Sequence, residues 1–254
     1  MASPQDSLRA DELLVRQGLA STKSMARRLI LDKRIALAGD LITRPGQKLS
    51  PDDKMSISGP KPFVSRAGEK LEGFLKKYPV NVEDLECIDI GASTGGFTDC
   101  MLRRGAKSVV CVDVGHGQLN PSITENSRVT NLEGVNARNL DDVDLPLPDY
   151  DLAVMDLSFI SLKLVLRPAW NRVRSGGTLI CLVKPQFEAG KEASDTAGGV
   201  IRDSALQRQI VKDIKQFTSS HLSGSILIGE CESPIKGGDG NREFLLGWRR
   251  NQVS

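Results

Sequence analysis

Apolar positions fall into two regimes along the chain. In the first sixty residues they are sparse and spaced for short amphipathic pieces. Leu8, Leu13, Leu14 and Leu19 mark one side of a helix that stops at Gly18, and Met25, Ala26, Leu29 and Ile30 mark a second helix over 22–32, which Ser21 can cap. Period-two alternation follows at Ile35-Ala36-Leu37, Leu41-Ile42 and Met55-Ser56-Ile57, broken by turn residues at Ala38-Gly39-Asp40 and Pro45-Gly46. Beyond residue 62 the apolar runs become continuous, as in buried strands, and predict strands over 87–91, 108–114, 128–132, 150–156, 178–184, 225–230 and 244–248. Helical periods occupy 66–77, 96–104 and 206–220.

This alternation of strand and helix predicts an α/β fold, a doubly wound and mostly parallel sheet with helices on both faces. Ligands of such sheets bind at the carboxyl edge. Gly59-Pro60-Lys61-Pro62 is the stiff polar break between the two regimes, so the expected division is 1–60 and 61–254, with 60–63 as linker.

Composition narrows the classes. With 254 residues, 39% hydrophobic and 26% charged, the chain has the balance of a globular protein of one or two domains. No stretch approaches the ~18 apolar residues of a membrane span. The N-terminal Met1-Ala2-Ser3-Pro4-Gln5-Asp6 lacks the basic-then-apolar pattern of a signal peptide, which makes a cytoplasmic location the expectation. The five cysteines are scattered, with no CxxC pair, and only two histidines are present; buried reduced thiols are expected and a zinc site is not.

Charge is uneven. Residues 1–61 hold 11 Lys/Arg against 7 Asp/Glu, a surplus of four, while the remainder carries a deficit of two. A small basic module on a near-neutral body suits a nucleic-acid-binding appendage as well as it suits a merely solvated face. Lys23 and Arg27 are four apart and share one side of the second helix, with Arg16, Arg28 and Arg34 as further candidate phosphate contacts. The run Asp11-Glu12-Leu13-Leu14-Val15-Arg16-Gln17-Gly18-Leu19-Ala20-Ser21, followed by Ala26-Arg27-Arg28-Leu29-Ile30 and Gly39, resembles the RNA-binding domain named after ribosomal protein S-four. The resemblance implies an α+β RNA-binding module without saying which RNA it takes.

The first long strand runs into Asp89-Ile90-Gly91-Ala92-Ser93-Thr94-Gly95-Gly96-Phe97-Thr98. Glycines allow a tight turn and close approach of a ligand to the backbone, and the following helix offers free N–H groups. The spacing is not the GxGxxG fingerprint, so a nicotinamide cofactor ranks last. Asp113 closes the second strand, where a carboxylate can accept from both hydroxyls of a ribose; together the features point to an adenosine-containing ligand. The pattern D-x-G-x-x-x-G-G-F-[ST] resembles the S-adenosylmethionine loop of Rossmann-like methyltransferases, the FtsJ-type ribose 2′-O-methyltransferases above all. That resemblance implies cofactor-binding roles for Asp89, Gly91, Ser93, Thr94, Gly95, Gly96, Phe97 and Asp113.

Four charged residues are placed to meet at one edge. Asp156 and Lys184 each end a buried strand; Lys70 lies early in the helix before the first strand; and Glu243 opens the last strand, which reaches the same edge if it runs antiparallel. Taken singly, Lys70 and Glu243 are as readily solvated charges, whereas Asp156 and Lys184 follow apolar runs and need partners. Methyl transfer to a ribose hydroxyl gives them work: Lys184 as base or hydroxyl-orienting group, Asp156 directing its amine, Lys70 supplying positive potential, and Glu243 holding one of the lysines. Lys70, Asp156, Lys184 and Glu243 match the K-D-K-E tetrad of FtsJ-like enzymes. The stretches Val64–Leu71, Asp156-Leu157-Ser158-Phe159-Ile160-Ser161-Leu162, Lys184-Pro185-Gln186-Phe187-Glu188, Gly198-Gly199-Val200-Ile201-Arg202-Asp203 and Gly240-Asn241-Arg242-Glu243-Phe244 resemble the TlyA (haemolysin A) family. That resemblance implies a class I methyltransferase sheet with an antiparallel last strand, and cytidine 2′-O-methylation of ribosomal RNA in small or large subunits by a cytoplasmic bacterial enzyme. The rival classes are a membrane-lytic protein, for which no interfacial amphipathic segment speaks, and an RNA-binding protein without activity, against which the intact loop and tetrad weigh.

Overall fold

The computed structural model describes residues 7–58, 62–190, 198–237 and 239–252. The chain divides into two compact units, Met1–Pro62 and Phe63–Ser254. Of the expected linker, Pro60 and Lys61 lie outside the described residues.

In the smaller unit β1 (Leu8–Arg9) leads directly into α1 (Ala10–Arg16), and α2 (Lys23–Leu31) packs against it. Leu8 therefore opens a strand rather than a helix: it faces Leu49 of β4 (Lys48–Leu49) in a two-stranded antiparallel ladder. Arg9 forks onto Asp11 through two 2.9 Å hydrogen bonds, and this donation holds the buried Asp11 carboxyl below the usual carboxylate range. The cap of α2 is Thr22, not Ser21: Thr22 Oγ1 accepts from Met25 N at 3.2 Å, while the Ser21 hydroxyl reaches the Met25 sulfur. A second small sheet orders β3 (Asp40–Leu41), β2 (Ile35–Leu37) and β5 (Met55–Ile57) antiparallel. Leu13, Leu14, Ile30 and Ile35 are fully buried at the centre of this unit.

The larger unit runs α3 (Ala67–Lys77), β6 (Glu86–Ile90), α4 (Gly96–Arg103), β7 (Ser108–Val112), α5 (Pro121–Thr124), β8 (Val129–Leu132), β9 (Tyr150–Met155), α6 (Leu166–Asn171), β10 (Val173–Val183), α7 (Pro185–Glu188), α8 (Ser204–His221), β11 (Ser225–Glu232) and β12 (Phe244–Arg250). One sheet orders its strands β11-β12-β10-β9-β6-β7-β8. The five from β10 to β8 are mutually parallel, and β12 is antiparallel to both β10 and β11. This is the mostly parallel sheet with an antiparallel last strand that the sequence predicts. Successive side chains of each strand serve opposite faces. Cys87, Val109, Leu152 and Ile180 pack under α3 and α4, whereas Ile88, Val110, Ala153 and Leu179 pack under α6 and α8. All five cysteines are free thiols, four of them buried. Among the described residues no helix is long and apolar enough to cross a membrane.

Candidate active site

The glycine loop sits where β6 gives way to α4. Gly91 adopts φ +84°, and a Cβ there would stand 2.7 Å from Leu157 Cδ2 and 2.9 Å from the Asp156 carbonyl oxygen, so only glycine lets the two loops approach. Gly95, at φ +87°, precedes the first residue of α4, Gly96, whose absent Cβ makes room for Ser65 and Ala67. Asp89 lies beneath this loop. Its buried Oδ2 accepts from Thr98 N at 3.0 Å and from Thr98 Oγ1 at 2.6 Å, and Oδ1 has no hydrogen-bond partner among the described residues. Burial pushes its carboxyl up to about 7, with the nearby Asp156 and Asp113 charges adding to the effect and Thr98 opposing it. Phe97 is buried in the core behind the loop, and Thr94 is exposed on it.

A cleft of about 540 Å³ opens above the carboxyl ends of the strands. Of the positions singled out from sequence, Gly91, Ser93, Asp113 and Asp156 line it, whereas Asp89, Thr94, Gly95, Gly96, Phe97, Lys70, Lys184 and Glu243 are not part of its lining. Asp113 accepts from Ser93 N with Oδ2 and from Gly115 N with Oδ1, each at 2.8 Å. The first bond holds Ser93 in a left-handed conformation, φ +47°, that a non-glycine residue adopts only when its surroundings fix it. Gln118 reaches across to the Ser93 hydroxyl at 3.2 Å. The far wall contains Asn136, Ala137 and Arg138 together with Leu157, Ser158 and Phe159, none of which the sequence patterns singled out as ligands. The available signal was Asn136 itself, which caps a short 3₁₀ turn directly after β8 by accepting from Arg138 N.

The four charged residues reach one edge as two ion pairs. Lys184 Nζ is 2.6 Å from Asp156 Oδ1, and Lys70 Nζ is 2.7 Å from Glu243 Oε2, with side-chain exposures of 10% and 15% in the first pair and 10% and 3% in the second. The sheet explains the meeting. Val183 faces Phe244 across the antiparallel β10–β12 ladder, so Lys184 and Glu243 are neighbours where those strands begin or end. Cys181 faces Met155 in the parallel β9–β10 ladder, which brings Asp156 to the same edge. Lys70 belongs to the first turns of α3, and Glu243 is the carboxylate it meets. Lys184 Nζ also donates to Ser158 Oγ at 2.9 Å.

In the smaller unit a shallow groove runs along α2, lined by Lys23, Arg27 and Arg28 with Ser24, Leu31 and Asp32. Acidic neighbours temper these cations: Lys23 pairs with Glu12 at 2.7 Å, Arg27 lies 3.8 Å from Asp11, and Arg28 lies 3.5 Å from Asp32. Arg34 is outside the groove lining and donates to the Ser58 carbonyl, and Arg16 is exposed at the end of α1. The structure thus gathers three of the five basic positions on one surface.

A family model described as FtsJ-like methyltransferase matches residues 63–250, and one described as S4 domain matches residues 8–54. The chain is 41% identical to "Putative rRNA methyltransferase YqxC" of Bacillus subtilis, across 94% of this chain and 84% of that protein. It is 37% identical to the 16S/23S rRNA (cytidine-2′-O)-methyltransferase TlyA of Mycobacterium tuberculosis, across 96% and 90%. Among solved structures, "Putative hemolysin from Streptococcus thermophilus" superposes with a TM-score of 0.72 at 38% identity, across 97% of this chain and 89% of that one.

Proposed function

The chain belongs to the FtsJ-like methyltransferase family, and from that premise we propose that it transfers the methyl group of S-adenosylmethionine to a cytidine 2′-hydroxyl of ribosomal RNA. The observation that carries the reading is the Lys184–Asp156 ion pair, placed at the rim of a cleft that Gly91, Ser93 and Asp113 also line. Those residues suit an adenosyl group. Gly91 lets the Asp156–Leu157 loop close in beside the turn, and each Asp113 oxygen keeps a lone pair for a ribose hydroxyl after accepting one backbone N–H. The exposed Val114 side chain offers an apolar surface beside them. When bound, S-adenosylmethionine supplies an electron-poor methyl carbon and a neutral thioether leaving group.

The remaining work falls to the protein. An ion-paired Lys184 is a hydrogen-bond donor: its amine sits beside the Asp156 carboxylate and gives one N–H to Ser158, and a remaining N–H would hold the 2′-oxygen in place for transfer. The hydroxyl proton becomes strongly acidic as the new C–O bond forms, so the carboxylate of Asp156 suffices to receive it. The Lys70–Glu243 pair adds no net charge at the same edge, and each partner compensates the burial of the other. The smaller unit, with its S4 match and basic groove, supplies sequence-independent grip on folded RNA.

The test is transfer of labelled methyl from S-adenosylmethionine to purified small and large ribosomal subunits, followed by mapping of the modified ribose. Lys184→Ala is expected to lower turnover by about 10²–10⁴-fold while cofactor and RNA still bind. Turnover near that of the wild type would remove the proposal.

A further inference from the structure

Two of the stretches that stand out in the sequence, 156–162 and 184–188, lie against each other in three rungs. Lys184 meets Asp156 and Ser158, at 2.6 and 2.9 Å. Phe187 packs on Phe159 with ring centroids 5.0 Å apart. Glu188 closes the far end, its Oε2 accepting from Ser161 Oγ and its Oε1 from Leu162 N, both at 2.7 Å. The tetrad chemistry makes no use of Ser158 or Glu188, yet each holds something that chemistry needs.

Lysine ends a flexible four-carbon stem, and one ion pair fixes where its nitrogen sits but not how its hydrogens point. A second acceptor at 2.9 Å fixes that rotation as well. Ser158 is exposed and lines the cleft, so its hydroxyl is a wall of the site rather than part of the core. The loop that presents it is held in a costly shape: Phe159 adopts φ +62° with 90% of its surface exposed, a conformation a bulky residue leaves unless its neighbours hold it. Glu188 does the holding from α7. Its two oxygens capture the hydroxyl and the backbone N–H at the start of the 3₁₀ turn Leu162–Leu164.

We propose that Ser158 and Glu188 are positioning residues of the methyl-transfer site, Ser158 setting the direction of the Lys184 ammonium and Glu188 locking the loop that carries Ser158. The inference rests on the reading that Lys184 meets the target hydroxyl. Neither residue need touch the reacting atoms. Both act through Lys184, so their loss should appear in kcat rather than in binding.

Full-length Ser158→Ala, Ser158→Thr, Glu188→Ala, Glu188→Gln and Lys184→Ala are compared in steady-state methyl transfer to ribosomal subunits, with cofactor Kd from titration calorimetry and Tm for each. Ser158→Ala is expected to lower kcat by about 10–100-fold, the scale of a small misplacement at a reacting centre, with KM for RNA and cofactor Kd within about threefold of wild type. Ser158→Thr, which keeps the hydroxyl at an exposed position, should restore most of the loss. Glu188→Ala should lower kcat about tenfold, and Glu188→Gln, which keeps an acceptor for Leu162 N–H, should recover most of it. If Glu188→Ala fails to fold, the Ser158 pair decides alone. Wild-type kcat in Ser158→Ala, equal impairment of Ser158→Ala and Ser158→Thr, or losses confined to KM and Kd would overturn the inference. Full turnover in Lys184→Ala would instead fell the reading beneath it, whereas an inactive Lys184→Ala beside a fully active Ser158→Ala would remove the inference alone.

Discussion

Asp89 shows what a single buried carboxyl does to the pH response of the larger unit. It has no exposed surface, its carboxylate accepts two hydrogen bonds from Thr98, and desolvation pushes it up to about 7. An unfolded chain releases the same proton near pH 4. Its contribution to stability is therefore fully present below about pH 4 and is lost as pH rises through 7. Asp89→Asn carries no such loss, so its stability relative to wild type should improve by a few kcal/mol between pH 4.5 and pH 7.5, on the order of 1.4 kcal/mol per pH unit; urea unfolding at the two pH values checks this. A constant difference would show that the carboxyl titrates normally. The sequence marks this aspartate through its place before the glycine turn, but not the direction of its carboxylate. A strand residue next to a turn can serve the ligand above or the helix behind, and here Thr98 takes it. Asp113, with the same chemistry at the next strand end, lies in the cleft wall.

Among the elements, strands with continuous apolar runs are legible because burial on both faces leaves a signal in every residue. The β6, β7 and β9 cores lie where that signal places them, and β12 runs antiparallel as the tetrad geometry requires. Shorter elements escape a periodic reading. The two residues of β1 contain no period, and their pairing with Lys48–Leu49 is a tertiary fact. β10 begins earlier than expected, at Val173, because it continues through an irregularity at Gly176-Gly177, where Gly176 stands at φ +79° and glycine reads as a stop. The cap of α2 lies one residue beyond the expected one because Ser21 and Thr22 are both good cap residues, and the extended backbone of Thr22, whose hydroxyl accepts from Met25 N, decides. Thr22→Ala should destabilise α2 by about 1 kcal/mol, and Ser21→Ala by less than about 0.5 kcal/mol. Hydrogen exchange of the α2 amides distinguishes them, and a larger loss in Ser21→Ala than in Thr22→Ala would return the cap to Ser21.

On the scale of the whole chain, the proposed function divides RNA grip and chemistry between the two units. Lys23→Ala with Arg27→Ala should therefore weaken binding to ribosomal RNA without changing cofactor Kd. Each cation withdrawn from a phosphate should also reduce the slope of log affinity against log salt by about 0.7–0.9. Filter binding across a salt series measures both, and an unchanged slope would move the RNA surface elsewhere. The larger unit has its own long-range dependence. β12 is the last strand along the chain yet lies inside the sheet, hydrogen-bonded to β10 on one side and β11 on the other. The residue that introduces it, Glu243, is the carboxylate that Lys70 meets from the first helix of the unit. Docking of β12 between its two neighbours and delivery of the Lys70 counter-ion are thus one folding event, so the lysine of α3 waits without its carboxylate until that strand has threaded home.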